Sequence, residues 1–254
     1  MDRVSNALEQ PPPATVAVND YDTFAEAYAA ASEDSLVNAH YERPATLALV
    51  GDVAGRRVLD AGCGAGPLAA ALRDRGAVVT GIDASAGMLA LARRRLGDDA
   101  DLHVVDLRDP LPFPDAAFDD VVASLVLHYL EDWGPTLAEL RRVLKSGGRL
   151  IASVDHPFVA YTFGDPRPDY FATTPYSFEW PGPDGNPVPM TFWRKSLQGM
   201  IDAFAAAGFR LSTVSEPQPD PAVRERFPED FERLATTPCF LFFVVEAQPA
   251  APRD

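Results

Sequence analysis

Cysteine is nearly absent: Cys63 and Cys239 are the only two in 254 residues. Two thiols cannot staple a chain of this length, which excludes a disulfide framework and makes a reducing, cytoplasmic setting the expectation. Long apolar runs are missing as well. None approaches the roughly 20 residues that cross a bilayer, and the polar start Met1-Asp2-Arg3 lacks the apolar core of a signal peptide. Positive charge is the third shortage. Lys and Arg total 22 against 37 Asp and Glu, a formal net charge of −15. A field of that sign repels phosphate backbones and anionic lipid, so neither nucleic acid nor a membrane surface is expected as a partner. The remaining composition, 47% hydrophobic and 23% charged, is that of a soluble globular protein, expected as a monomer or homodimer.

Residues 1–19, with Pro11-Pro12-Pro13, read as a flexible lead. Residues 20–50 turn helical and aromatic, with Pro44 expected to divide two helical pieces because a mid-helix proline removes a hydrogen bond. From residue 51 onward, short apolar runs alternate with amphipathic segments, the pattern of a parallel sheet with crossover helices. Strands are expected at Arg57–Ala61, Val78–Ile82, Leu102–Val105, Asp120–Leu125, Arg149–Val154, Phe209–Val214 and Phe240–Glu246. Helices start at Pro67, after Ser85, at Pro135 and after Ser196, and glycines stop them. Between Asp155 and Met190 regular pattern vanishes, leaving prolines and a dense set of aromatics. A loop this long is uncommon unless functional or disordered, and the rings favour a packed lid at about 156–192.

The chemistry is concentrated in Val58-Leu59-Asp60-Ala61-Gly62-Cys63-Gly64-Ala65-Gly66-Pro67, which leaves a strand and enters a helix. Its glycines let the backbone bend and come close to a ligand that a Cβ would push away. A nicotinamide dinucleotide site uses G-x-G-x-x-G; here the third glycine comes one residue too early, and Asp60 just before the loop would repel a pyrophosphate. Asp83 follows the second strand, about 20 residues past the loop, where a carboxylate can accept ribose hydroxyls. Asp106 follows the third strand. Three acids thus stand along one carboxyl edge, the rim where open α/β sheets bind ligands.

Val58–Gly66 resembles the first motif of the class I S-adenosylmethionine-dependent methyltransferases. Gly81-Ile82-Asp83-Ala84-Ser85 with Met88 resembles the second, and Asp106-Leu107, Leu111-Pro112-Phe113 to Phe118-Asp119 and Leu144–Leu150 resemble the later ones. The likeness is nearest to the small-molecule enzymes akin to the ubiquinone and menaquinone biosynthesis methyltransferases. It implies an α/β, Rossmann-like, seven-stranded, mostly parallel sheet with an N-terminal helical cap and an inserted aromatic lid. It also implies S-adenosylmethionine as cofactor and assigns its contacts. Gly62, Cys63 and Gly64 would approach the methionine part, with Asp60 near its ammonium. Asp83 would hold the ribose, Ala84 and Met88 would flank the adenine, and Asp106 with the Leu107 backbone would meet the adenine amino group. Ser124 would lie near the methionine moiety, and Tyr21 and Tyr28 would cover the cofactor.

Methyl transfer from a sulfonium needs an aligned nucleophile, exclusion of water and, for a hydroxyl or acidic carbon, removal of a proton. His156, in Asp155-His156-Pro157-Phe158 after the fifth strand, is the candidate base, which tilts the expected acceptor atom toward oxygen over carbon or nitrogen. His128 together with Phe158, Tyr161, Tyr176, Trp180 and Trp193 is the candidate acceptor pocket, suited to an aromatic or lipophilic metabolite. The Ala-, Arg- and Pro-rich composition hints at specialised (secondary) metabolism. No metal is expected. Two rivals stay open: a nicotinamide-type Rossmann oxidoreductase, and a non-catalytic regulator that binds S-adenosylmethionine.

Overall fold

The computed structural model describes residues 19–163, 166–181 and 187–249. In chain order the strands are β1 (Arg57–Ala61), β2 (Val78–Asp83), β3 (Asp101–Val104), β4 (Phe118–Ser124), β5 (Leu144–Asp155), β6 (Thr174–Pro181), β7 (Pro187–Arg194), β8 (Phe209–Ser215) and β9 (Phe240–Ala247). The helices are α1 (Ala25–Glu33), α2 (Arg43–Val50), α3 (Pro67–Asp74), α4 (Ala86–Leu96), α5 (Gly134–Val143), α6 (Pro157–Phe163), α7 (Leu197–Ala206) and α8 (Pro228–Thr236).

Seven strands form one sheet in the order β3-β2-β1-β4-β5-β9-β8. The pairs from β3 to β5 are parallel, and β9 runs antiparallel to both β5 and β8. The period of two on the strands divides the core between two helical layers. Val121 and Ala123 of β4 pack with Leu137 and Leu140 of α5 and Phe204 of α7. Val122, between them, packs on the other face with Leu68 and Leu72 of α3 and Val50 of α2. Each of the buried valine, leucine and phenylalanine side chains among these contributes about 1.5–3 kcal/mol of transfer free energy. The chain order reverses between β1 and β4, the switch point at which doubly wound sheets open a crevice.

Helix starts follow the expected caps: Ser85 Oγ accepts from Met88 N, and Ser196 Oγ from Gly199 N. Two segments differ from the sequence reading. Pro44 does not divide the N-terminal helices. It sits in the first turn of α2, and the break lies earlier, at Asp34. A π-helical turn, Asn38–Glu42, leads straight into α2, with Arg43 N donating to Asn38 O. The second difference is the supposedly irregular stretch after β5, which contains α6 and the antiparallel hairpin β6–β7. Its register, Tyr176↔Phe192 and Phe178↔Met190, puts alternate rings on one face. That face packs on Phe24, Tyr21, Tyr28 and Tyr129, an aromatic layer joining the hairpin to the N-terminal helices. Prolines in and beside the strands disguised a real period of two; two-stranded edges tolerate them. Residues 1–18 of the flexible lead lie outside the described residues.

Candidate functional site

The loop after β1 is folded back on β2: the N–H groups of Gly62 and Cys63 both donate to Ile82 O, at 2.8 and 2.9 Å. Gly62 has φ +79°, and a Cβ there would lie 2.6 Å from a Val126 methyl, so only glycine fits this turn. Gly64, at φ +54°, has nothing within 4 Å of where its Cβ would be: it faces open space. Asp83 holds this loop from the end of β2. Its Oδ2 accepts from Gly64 N and its Oδ1 from Ser85 N, both at 2.9 Å. Burial raises the Asp83 carboxyl above its ordinary value. Under the loop, Asp60 is 1% exposed and its Oδ2 has no hydrogen-bond partner among the described residues. Burial first, then the charges of Asp83 and Glu42, pushes its pKa up to about 7.

Above the loop opens a cavity of about 580 Å³. It is lined by Gly62, Gly64, Asp83, Ala84 and Met88, by Asp106, Leu107 and Ser124, and by Tyr21 and Tyr28 of the N-terminal segment. Trp193 and Thr191 of β7, with Glu131 and Asp132, line it as well. A second hollow of about 110 Å³ shares Tyr28, Gly62 and Gly64 with the first and adds Cys63, Glu42 and Arg43. Leu125 lines the main cavity with φ +49°, a left-handed conformation that costs a branched residue about 1–2 kcal/mol. Such strain clusters where a site dictates the backbone.

The roof is aromatic and polar at once. The Tyr21 and Tyr129 hydroxyls are hydrogen-bonded to each other, and Tyr21 meets Tyr28 edge to face at 5.0 Å. Burial raises both the Tyr21 and Tyr129 phenols well above their usual range, so both are neutral hydroxyls. The segment leading into α1 is tied at two points. Asn19 exchanges hydrogen bonds with the Thr191 backbone at 2.7 and 2.8 Å, and Asp22 Oδ1 accepts from Gly87 N at 2.7 Å at the start of α4.

Several expected residues fall elsewhere. His156 does not line the cavity: it is buried, and its Nε2 lies 2.8 Å from Glu216 Oε1. His128 lies behind the wall, its Nδ1 accepting from Asp155 N at 3.2 Å and its ring edge-on to Tyr129 and Phe192. Tyr176 also stands behind it, donating to Asp155 Oδ2 at 2.6 Å. Phe158 stacks on Tyr170 at 5.5 Å and is 45% exposed; Tyr161 stands edge-on to the same tyrosine. Both belong to an outer aromatic cluster away from the cavity. Trp180 lies on β6, and its side chain is outside the described residues. Asp106 reaches the cavity but is gripped by Arg108, whose hydrogen bonds hold its carboxyl below the ordinary value. Asn19, Glu42, Arg43, Tyr129 and Thr191 went unmarked in the sequence. The π-turn that swings Glu42 inward has no signature in a 3.6-residue period, and the others come together only through tertiary contacts.

The residues present fit the nucleoside thioether that the motifs imply: open space over Gly64, an orphaned carboxylate oxygen beneath, and an acid at the end of β2. A methyltransferase-domain family profile matches residues 59–152. The demethylmenaquinone methyltransferase of Thermobifida fusca is 34% identical over 174 residues, 59% of this chain and 73% of that protein. The chain belongs to the class I S-adenosylmethionine-dependent methyltransferases. The demethylmenaquinone methyltransferase of Clavibacter sepedonicus is 44% identical over 119 residues, 46% of this chain. The chain spans about half the length of the first curated relatives it matches, 48% and 53%. A crystal structure of an S-adenosylmethionine-dependent methyltransferase from Mesorhizobium loti superposes with a TM-score of 0.70 at 29% identity, covering 84% of this chain and all of that one. The cofactor of this family is S-adenosylmethionine. Among the described residues no helix is long and apolar enough to cross a membrane.

Proposed function

We propose that this protein methylates a small, neutral, aromatic or lipophilic metabolite, held at the Trp193–Thr191 end of the cavity. S-Adenosylmethionine, when bound, supplies a methyl group already activated on sulfur. The observation that carries the reading is the continuity of the cavity. One space of about 580 Å³ is lined by Gly64 and Asp83, by Tyr21 and Tyr129, and by Trp193. In this reading Asp83 holds the ribose, Asp106 and Leu107 meet the adenine, and Ser124 stands near the methionine part. The chain's remaining task is to align the acceptor and exclude water. The Tyr21–Tyr129 pair provides neutral hydroxyls that orient an acceptor heteroatom, and the hairpin β6–β7 with the strap of residues 19–33 forms the lid.

The tilt toward oxygen rested on His156, whose ring is engaged with Glu216 outside the cavity wall. The reading therefore favours a nucleophile that arrives with its lone pair free, or already acidic enough to ionise, over a simple alcohol. Relatives named demethylmenaquinone methyltransferase support an aromatic, lipophilic acceptor. Mass spectrometry of a metabolite panel after incubation with S-adenosylmethionine carrying an isotopic methyl label tests this. A labelled small aromatic product supports the reading. Cofactor binding without any labelled product would favour the regulator instead.

A further inference from the structure

The Asn19 side chain lies against one backbone position of β7 through both ends of its carboxamide. Its Oδ1 accepts from Thr191 N at 2.8 Å, and its Nδ2 donates to Thr191 O at 2.7 Å. Thr191 therefore turns both backbone groups away from β6, and Thr191↔Ser177 is a non-hydrogen-bonded pair of the hairpin ladder. Bonded and non-bonded pairs alternate along an antiparallel ladder, so Trp193↔Pro175, two places on, is non-bonded too. The prolines agree with this parity. Pro175, Pro181, Pro187 and Pro189 all fall on non-bonded pairs, where the ladder does not need the N–H that proline lacks. Trp193 thus presents its N–H and C=O on the same edge as Thr191, about 7 Å further along the strand. Neither group meets a partner among the described residues. Asn19, Thr191 and Trp193 all line the cavity of about 580 Å³.

A backbone N–H and C=O side by side at a cavity wall call for a ligand that brings the matching acceptor and donor. We propose that the Trp193 backbone is a recognition point for the methyl acceptor, and that the acceptor carries a planar cis-amide or lactam edge. That edge seats on Trp193 as the Asn19 carboxamide seats on Thr191: the lactam C=O accepts from Trp193 N, and the lactam N–H donates to Trp193 O. These two atoms anchor the molecule. The methylated atom is a different one, since the lactam nitrogen keeps its proton in the bond to Trp193 O. The site rests on the small aromatic acceptor proposed above and narrows it to neutral rings with a donor beside an acceptor. An aromatic ether or a bare ring nitrogen offers only an acceptor and leaves Trp193 O unpaired, which binding penalises.

The test is calorimetry on the chain saturated with S-adenosylhomocysteine, using two probes. One is 2-quinolone, whose lactam edge carries both groups; the other is 1-methyl-2-quinolone, in which a methyl replaces the donor hydrogen. The wild-type chain is expected to bind 2-quinolone at least about tenfold more tightly, because the methyl compound loses one hydrogen bond and strands Trp193 O. Trp193→Ala and Trp193→Pro both lose the indole, but only the second loses the N–H. Affinity for 2-quinolone is expected to be about five- to tenfold weaker in Trp193→Pro than in Trp193→Ala. Binding of S-adenosylhomocysteine reports whether each variant is folded, and the wild-type comparison decides if Trp193→Pro is not. Equal affinity of the wild-type chain for the two quinolones overturns the lactam site, and so does equal affinity of the two folded variants for 2-quinolone; both results leave the small-acceptor reading intact. Binding of neither quinolone also overturns the lactam site. The small-acceptor reading falls separately, on the absence of any labelled product from the metabolite panel.

Discussion

The Gly64 backbone N–H donates to Oδ2 of Asp83 at 2.9 Å, joining the bend after β1 to the acid at the end of β2. One carboxylate therefore shapes the loop and, in the proposed site, receives the ribose. Asp83→Ala removes the group that does both. Cofactor affinity should fall by about 1–3 kcal/mol, some 5- to 150-fold in Kd. Calorimetry with S-adenosylhomocysteine checks it; wild-type affinity in the variant would remove Asp83 from the site.

Asp60 should make binding sensitive to pH. Burial, followed by the neighbouring Asp83 and Glu42 charges, raises its pKa to about 7. An unfolded aspartate titrates near 4, so the folded chain holds this proton more tightly, and stability declines as pH rises from about 4 to about 7. A ligand cation nearby favours the ionised form and expels the proton. Affinity for S-adenosylhomocysteine should then rise between pH 6 and pH 8 (on the order of tenfold at most, for one titrating group), with proton uptake by buffer near pH 6. Asp60→Asn should flatten both. Binding heats independent of the buffer at pH 6 would show that Asp60 is not engaged.

Asp120 makes a stability prediction. It is fully buried and receives hydrogen bonds from Arg149 at 2.8 and 3.0 Å and from Arg56 at 2.9 Å. Burial alone raises its pKa, but the two guanidiniums more than offset this and the net direction is down. A depressed pKa gives stability that is present above the unfolded value of about 4 and is lost as pH falls further. Asp120→Asn removes the charge that two partly exposed guanidiniums share, and urea denaturation should show a loss of about 1.5–3 kcal/mol. A loss below about 1 kcal/mol would make the cluster a solvated surface feature.

His156→Ala should leave turnover within about threefold, because the ring is bonded to Glu216 and does not line the cavity. A fall of about 10²–10⁴-fold would instead restore it as the proton acceptor.

The fold could be read from the chain because its signals are local. Pro67, Ser85 and Ser196 start helices, Gly97 and Gly208 follow them with positive φ, and apolar strands alternate with amphipathic segments. The expected cofactor-side residues Gly62, Gly64, Asp83 and Asp106 follow successive strands, and all four line one cavity. The acceptor side was not so legible. His156, His128, Phe158 and Tyr161 follow the correct strand, but where each ring turns is decided by Glu216, Asp155 and Tyr170, which come from other parts of the chain or from the hairpin's neighbourhood. Glu42 was hidden for a different reason: a π-turn shifts the helical phase by one residue, so position in the sequence gives the wrong face.

The most direct test of the central claim is parallel titration of the chain with S-adenosylhomocysteine and with NAD. One site for S-adenosylhomocysteine, weakened in Asp83→Ala, and no heat from NAD is the predicted outcome. Saturable NAD binding, or no binding of S-adenosylhomocysteine, would contradict it.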